Sequence, residues 1–155
     1  MKYTRLTKEQ LEELHPEFIN FLASQTIDKN EWDKIKAEKP EVAEQELDVF
    51  SDLIWEGVIS RAEYLEHYSK NHIFLFKCNE HNIESIVIHC HAKHADFLTM
   101  EGLQWLNENI FTEDVDVRRG SKAFGEDRNG EIFSLIKQGA TLSNGELYKQ
   151  FEDMF

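Results

Sequence analysis

The chain has 155 residues, 41% hydrophobic and 12% aromatic with eleven Phe, which supplies a folded core and excludes a disordered chain. Its 17 basic and 30 acidic residues give a formal net charge of −13, which opposes nonspecific binding to nucleic acid or anionic lipid and favours a basic or neutral partner. No run is long enough for a membrane-spanning helix, and the opening MKYTRLTKEQLEEL is charged where an export signal needs an apolar core. Cys78 and Cys90 therefore read as free thiols in a cytoplasmic protein.

In chain order, Thr7 and Gln10 have capping-box spacing, and Leu11, Leu14, Phe18, Phe21 and Leu22 follow on one helical face. Pro16 interrupts that face, so either the helix kinks or a second segment starts at Pro16. Asp28 and Glu31 cap a short helix with Trp32 and Ile35 inward. Pro40 suits the first turn of a third, with Val42, Leu47, Phe50, Leu53 and Ile54 as its apolar stripe. Beyond Gly57 the helical period continues through Val58, Ala62, Leu65 and Tyr68, with a bend or a restart at Ser60.

From Ile73 the pattern changes to β-branched and aromatic runs: IFLFKC, a turn NEHN, then IESIVIHC, which predict a hairpin. Thr99 caps a further helix carrying Leu103, Leu106 and Ile110, with Trp105 beside that stripe, and Val115 and Val117 alternate with charge as a third strand. Residues 118–130 read as a polar loop, EIFSLIKQG as a fourth strand, and Ser143 with Glu146 as the cap of a last helix holding Leu147 and Phe151. The expectation is an α+β fold in a single domain, 1–155. Its first part, 1–69, is a helical subregion of three to four helices. Its second, 70–155, is a ββαββα subregion with a mostly antiparallel four-stranded sheet.

Three stretches, MKYTRLTKEQLEELHPEFINFLA, KPEVAEQELDVFSDLIWEGV and QGATLSNGELYKQFE, carry a nearly full-length resemblance to an uncharacterised, flavobacterial-type family of Bacteroidota proteins with a domain of unknown function. The resemblance implies a bacterial, intracellular, globular protein. It transfers no catalytic or binding residue.

The segment His72–His94 holds five of the seven histidines. A turn centred between Glu80 and His81 sets Phe76 opposite Ser85, Phe74 opposite Val87 and His72 opposite His89. Alternation then puts His72, Phe74, Phe76 and Cys78 on one face with Ser85, Val87, His89 and His91, and Ile73, Leu75, Ile86, Ile88 and Cys90 on the other. Opposed residues bring their Cβ atoms within about 5.5 Å, so His72, His89 and His91, with His94 or His67 nearby, are candidate ligands for a divalent metal such as zinc, iron or nickel. The plain alternative is a solvated hairpin end bearing imidazoles. Between 85 and 95 no Asp or Glu joins them, and Asp96 is the nearest carboxylate downstream. The pattern departs from that of cupins, in which a Glu follows His-x-His; here Lys93, His94, Ala95 and Asp96 follow. Cys90 points away from its neighbours His89 and His91, so neither serves it as a base.

Glu41, Glu44, Asp48, Asp52 and Glu56 recur every three or four residues along the third helix, and no Lys or Arg lies between 40 and 60. Like charges four apart cost a few tenths of a kcal/mol per pair. That cost favours a basic partner, with Trp55 beside the stripe as an interface anchor if it is exposed; a solvated face is the alternative. Arg118, Arg119, Lys122 and Arg128 lie among Gly120, Gly125 and Gly130 without a phosphate-loop pattern, and read as a flexible loop. The leading expectation is a non-enzymatic adaptor that needs no cofactor and docks its acidic helix on a basic surface, such as that of transcription or ribonucleoprotein machinery. The alternative is a metal-binding protein or metalloenzyme using His72, His89, His91 and His94.

Overall fold

A computed structural model describes residues 1–155, which form two compact units, Met1–Ser60 and Arg61–Phe155. The first is helical. Thr7 accepts from the Gln10 amide while the Gln10 side chain accepts from the Thr7 amide, and this reciprocal cap starts α1 (Lys8–Glu13). Pro16 lies in the first turn of a separate helix, α2 (His15–Ala23), where its missing N–H costs nothing. The choice between kink and restart is thus settled as a restart.

Asp28 caps α3 (Lys29–Glu38) through the Glu31 amide, and Pro40 opens α4 (Pro40–Ser60), which runs through Gly57 without a break. Phe18, Leu22 and Phe50 bury against one another with Leu6. The Phe18 ring meets Phe50 at 5.0 Å and Trp32 at 5.3 Å, both edge-on, a geometry worth about 0.5–1.5 kcal/mol per pair beyond area burial. Ser51 is fully buried on α4: it donates to the Leu47 carbonyl and accepts from the Leu6 amide at 3.0 Å.

The second unit contains β1 (Tyr64–Tyr68), β2 (His72–Cys78), β3 (Asn82–Cys90), α5 (Met100–Asn109), β4 (Val115–Ala123), α6 (Arg128–Lys137), β5 (Thr141–Ser143) and α7 (Glu146–Met154). Its strands form one antiparallel sheet in the order β4-β3-β2-β1-β5. The hairpin register is the expected one, with His72 opposite His89, Phe74 opposite Val87 and Phe76 opposite Ser85. Ile73, Leu75, Ile86 and Ile88 are wholly buried under Leu106 of α5 and Tyr148 and Phe151 of α7. Each contributes about 1.5–3 kcal/mol of burial.

Several expectations are corrected here. The sheet has five strands rather than four: Tyr64–Tyr68 pairs with β2 instead of extending the preceding helix, Thr141–Ser143 adds a short strand beside it, and the strand expected at 131–139 is not among them. Helix therefore ends at Ser60, before the expected boundary at 69. Leu65 and Tyr68 fit a helical period, but Tyr64, Glu66 and Tyr68 also fit an alternating one, and pairing decides between them. The expected loop at 118–130 is strand in its first half and opens α6 at its end: β4 continues to Ala123, polar because its residues from Arg118 onward are exposed. Gly120 sits there opposite Ser85, and a Cβ on it would approach the Ser85 hydroxyl to 3.1 Å.

Residues 131–139, expected as a strand, belong largely to α6. Asp127 caps it through the Gly130 amide, and Ile132, Phe133, Leu135 and Ile136 also satisfy a helical period. Arg128 fixes the start of α6 by donating to the carbonyls of Asn79 and Ala62. Ser143 lies in β5 and does not cap α7; Gly145, with φ of 81°, occupies that position. A Cβ there would fall 2.4 Å from the Tyr64 ring.

Candidate functional site

Strand alternation sends His72, Phe74, Val87 and His89 to the face opposite the buried isoleucines. The β3–β4 pairing adds the residue that sequence reasoning missed: Asp116 lies directly opposite His89, so His72, His89 and Asp116 form one row across three strands. His91 follows just past the end of β3, and its amide donates to the Asp114 carbonyl at 2.8 Å. Its Nε2 lies 2.7 Å from Asp116 Oδ2. One ligand atom each from His89, His91 and Asp116 falls within 4.8 Å of the others.

The rings form a continuous stack. His72 lies parallel to His89 at 4.3 Å, and His91 meets His89 edge-on at 4.4 Å. His72 also stacks on Phe74 at 5.5 Å, and its Nδ1 pairs with the Asn71 side chain. Burial, with the neighbouring His72 and His91, holds the His89 pKa below the usual imidazole value, which favours the neutral form that ligates metal. The hydrogen bond from His91 lowers the pKa of Asp116, favouring a carboxylate anion. His91 and Asp116 keep nearly half of their side chains exposed. A hollow of about 300 Å³ adjoins His91, with Lys70 and Lys93 among its lining residues. His94 stands apart from the group and packs edge-on against Trp105 at 5.6 Å.

Chemically, this is a set of two imidazoles and one carboxylate, with the proton of a hydrogen bond lying between His91 and Asp116. A divalent ion can displace such a proton. Three protein ligands leave positions open for water or a small anion. Cys78 and Cys90 are free and buried. Burial pushes the Cys78 thiol up to about 11 and raises Cys90 as well, the reverse of what a nucleophilic thiol requires.

A family model described as a family of unknown function, DUF6495, matches residues 1–155. The chain belongs to that family. No curated protein and no solved structure matches it. No helix of this DUF6495 chain is long and apolar enough to cross a membrane.

The acidic helix holds a different arrangement. Arg5 pairs with Glu44 and binds Asp48 through Nε at 2.8 Å and Nη2 at 2.7 Å. The amides of Lys2 and Tyr3 donate to the two Asp52 oxygens, and the Tyr3 hydroxyl donates to Glu56. Glu41 remains exposed at the start of α4. Trp55 packs against the helical core with its indole nitrogen buried, so it is not an exposed anchor. The basic residues expected in a loop are divided between two elements, Arg118, Arg119 and Lys122 on β4 and Arg128 on α6.

Proposed function

We propose that this protein binds a divalent transition metal, such as zinc, iron or nickel, through His89, His91 and Asp116, with His72 stacked behind His89. The observation that carries this reading is the convergence of the three ligand atoms within 4.8 Å. Ligand distances of about 2.0–2.2 Å to zinc require only small side-chain adjustments from there. The stacked His72 restricts the His89 ring, as supporting groups orient metal-bound imidazoles. Lys70 and Lys93 beside His91 suit a small anion as an additional ligand.

Calorimetric titration of untagged protein with Zn²⁺ tests the reading. One ion per chain is expected. The His89→Ala/His91→Ala pair should weaken binding by about 100-fold or more, and Asp116→Asn by at least about tenfold. Binding unchanged in the double variant rejects the site.

A second reading retains the acidic helix as a docking surface for a basic segment of a larger intracellular assembly, in transcription or ribonucleoprotein machinery of a Bacteroidota-type bacterium. It is supported by α4 already holding a short basic stretch, Lys2 to Arg5, on Glu44, Asp48, Asp52 and Glu56. Under this reading a partner competes with that stretch, so Lys2→Ala/Arg5→Ala should increase salt-sensitive recovery of the partner. Reversing Glu44, Asp48 and Asp52 to Lys should remove it. Equal recovery from all three proteins would exclude docking through the stripe.

A further inference from the structure

Away from the histidines, a cleft of about 610 Å³ opens between α5, α7 and the β1 and β5 strands. That volume lies within the roughly 300–1,000 Å³ of small-molecule sites. Its apolar wall includes Ile73, Leu106, Ile110 and Phe151, each less than a tenth exposed. Three further apolar lining residues remain open to solvent: Leu103 is 36%, Leu142 47% and Met154 49% exposed. Apolar side chains left uncovered around an apolar hollow are characteristic of a ligand-binding cleft, and Met adapts readily to an irregular guest.

The charged groups in the lining have one sign. Glu66 on β1 and Glu146 on α7 contribute carboxylates, and no Lys, Arg or His lines the cleft. Tyr68, beside Glu66, donates to its carboxylate at 3.4 Å, a long contact that leaves the acid most of its accepting capacity. An anionic guest would face two carboxylates without a countercharge. A cationic guest gains both and is also attracted by the net charge of the chain.

We propose that this cleft binds a small organic cation, an apolar skeleton bearing an ammonium group. The skeleton would lie on Ile73, Leu106, Ile110 and Phe151, with the ammonium at Glu66 and Glu146. This site is independent of the metal reading, since none of its lining residues belongs to the histidine group.

The test uses two fluorescent probes that share a naphthalene body, dansylcadaverine with a terminal ammonium and dansyl-6-aminohexanoic acid with a terminal carboxylate. Both are titrated into the full chain with EDTA present, which removes any contribution from metal. Saturable fluorescence enhancement is expected with the amine, at an affinity at least about tenfold above that of the acid, the preference of a charge-matched site. Glu66→Gln should reduce amine binding by about tenfold while leaving the acid unchanged or improved. Leu103→Arg, at a partly exposed lining position, should shrink the preference for the amine by raising the affinity of the acid and lowering that of the amine. Equal affinity for the two probes, no saturable binding of the amine, or an amine affinity untouched by both substitutions overturns the proposal.

Discussion

The two sides of the β2–β3 hairpin are built from neighbouring residues but hold different environments. On one side Ile73, Leu75, Ile86 and Ile88 are fully excluded from water beneath α5 and α7. On the other, His72, Phe74, Val87 and His89 are only partly covered, and the exposed His91 and half-buried Asp116 continue that face at one end. At its other end, near the start of α6, Cys78 is 6% exposed. A strand alternates by geometry, so a single run of sequence can serve stability on one face and chemistry on the other. Changes on the two faces should therefore have separable effects.

The largest contrast is expected between two adjacent positions. Ile86→Ala removes a fully buried side chain and should cost about 4 kcal/mol, whereas Val87→Ala on the half-covered face should cost about 1 kcal/mol. Urea unfolding of both variants measures the difference, and equal losses would abolish the distinction. Next comes the cover of the buried face. A Cβ on Gly102 of α5 would lie 1.7 Å from the Asp96 carbonyl oxygen, which Thr99 holds through its own hydroxyl. Gly102→Ala should cost about 2–3 kcal/mol by overpacking, read from the same unfolding curves.

An effect that is smaller per pH unit, and absent below pH 9, probes the covered end of the second face. Burial raises the Cys78 thiol from 9.0 to about 11. Between those values the unfolded chain releases this proton and the folded chain retains it, so stability should fall as pH rises from 9 to 11. The slope is about 1.4 kcal/mol per pH unit for one thiol. Below 9 the thiol contributes no pH dependence. Cys78→Ser should flatten the alkaline slope, and an unchanged slope would show that Cys78 does not control it. The smallest effect on stability belongs to the histidine end. His89→Ala/His91→Ala should shift unfolding by less than about 1 kcal/mol, while removing the Zn²⁺ response measured by calorimetry.

Much of this contrast is legible in the residues themselves. The hairpin register follows from a turn of polar residues between two alternating runs, and alternation alone separates the isoleucines from the histidines. The caps at Thr7, Asp28 and Thr99 are local, short-range signals and lead to helices as expected. Where two periods fit the same residues, sequence is ambiguous. Tyr64 to Tyr68 satisfy a helix through Leu65 and Tyr68 and a strand through Tyr64, Glu66 and Tyr68, and Ile132 to Ile136 satisfy either. Pairing partners and the cap at Asp127 decide these cases, and neither follows from periodicity.

Asp116 illustrates a different limit. Its placement between Val115 and Val117 on an alternating strand makes its orientation readable, yet which strand β4 would join is a nonlocal fact. The metal candidate therefore lacks its carboxylate until β4 pairs with β3. The acidic stripe was visible from its spacing, but its pairing with Lys2, Tyr3 and Arg5 depends on contacts some forty to fifty residues apart. Such closures follow from the fold and leave no periodic trace.

The position of Asp116 on β4 has one more consequence. β4 is an outermost strand of the sheet, hydrogen-bonded along one side only, and the ends of such strands exchange amide protons through local fraying. An ion shared by His89, His91 and Asp116 would fasten this edge to its neighbour near the end of β3. Amides of Val115 to Val117 would then exchange more slowly with metal present, while those of Lys122 and Ala123 at the far end would keep their original rates. The bound ion would be visible in the sheet's motion as well as in its chemistry.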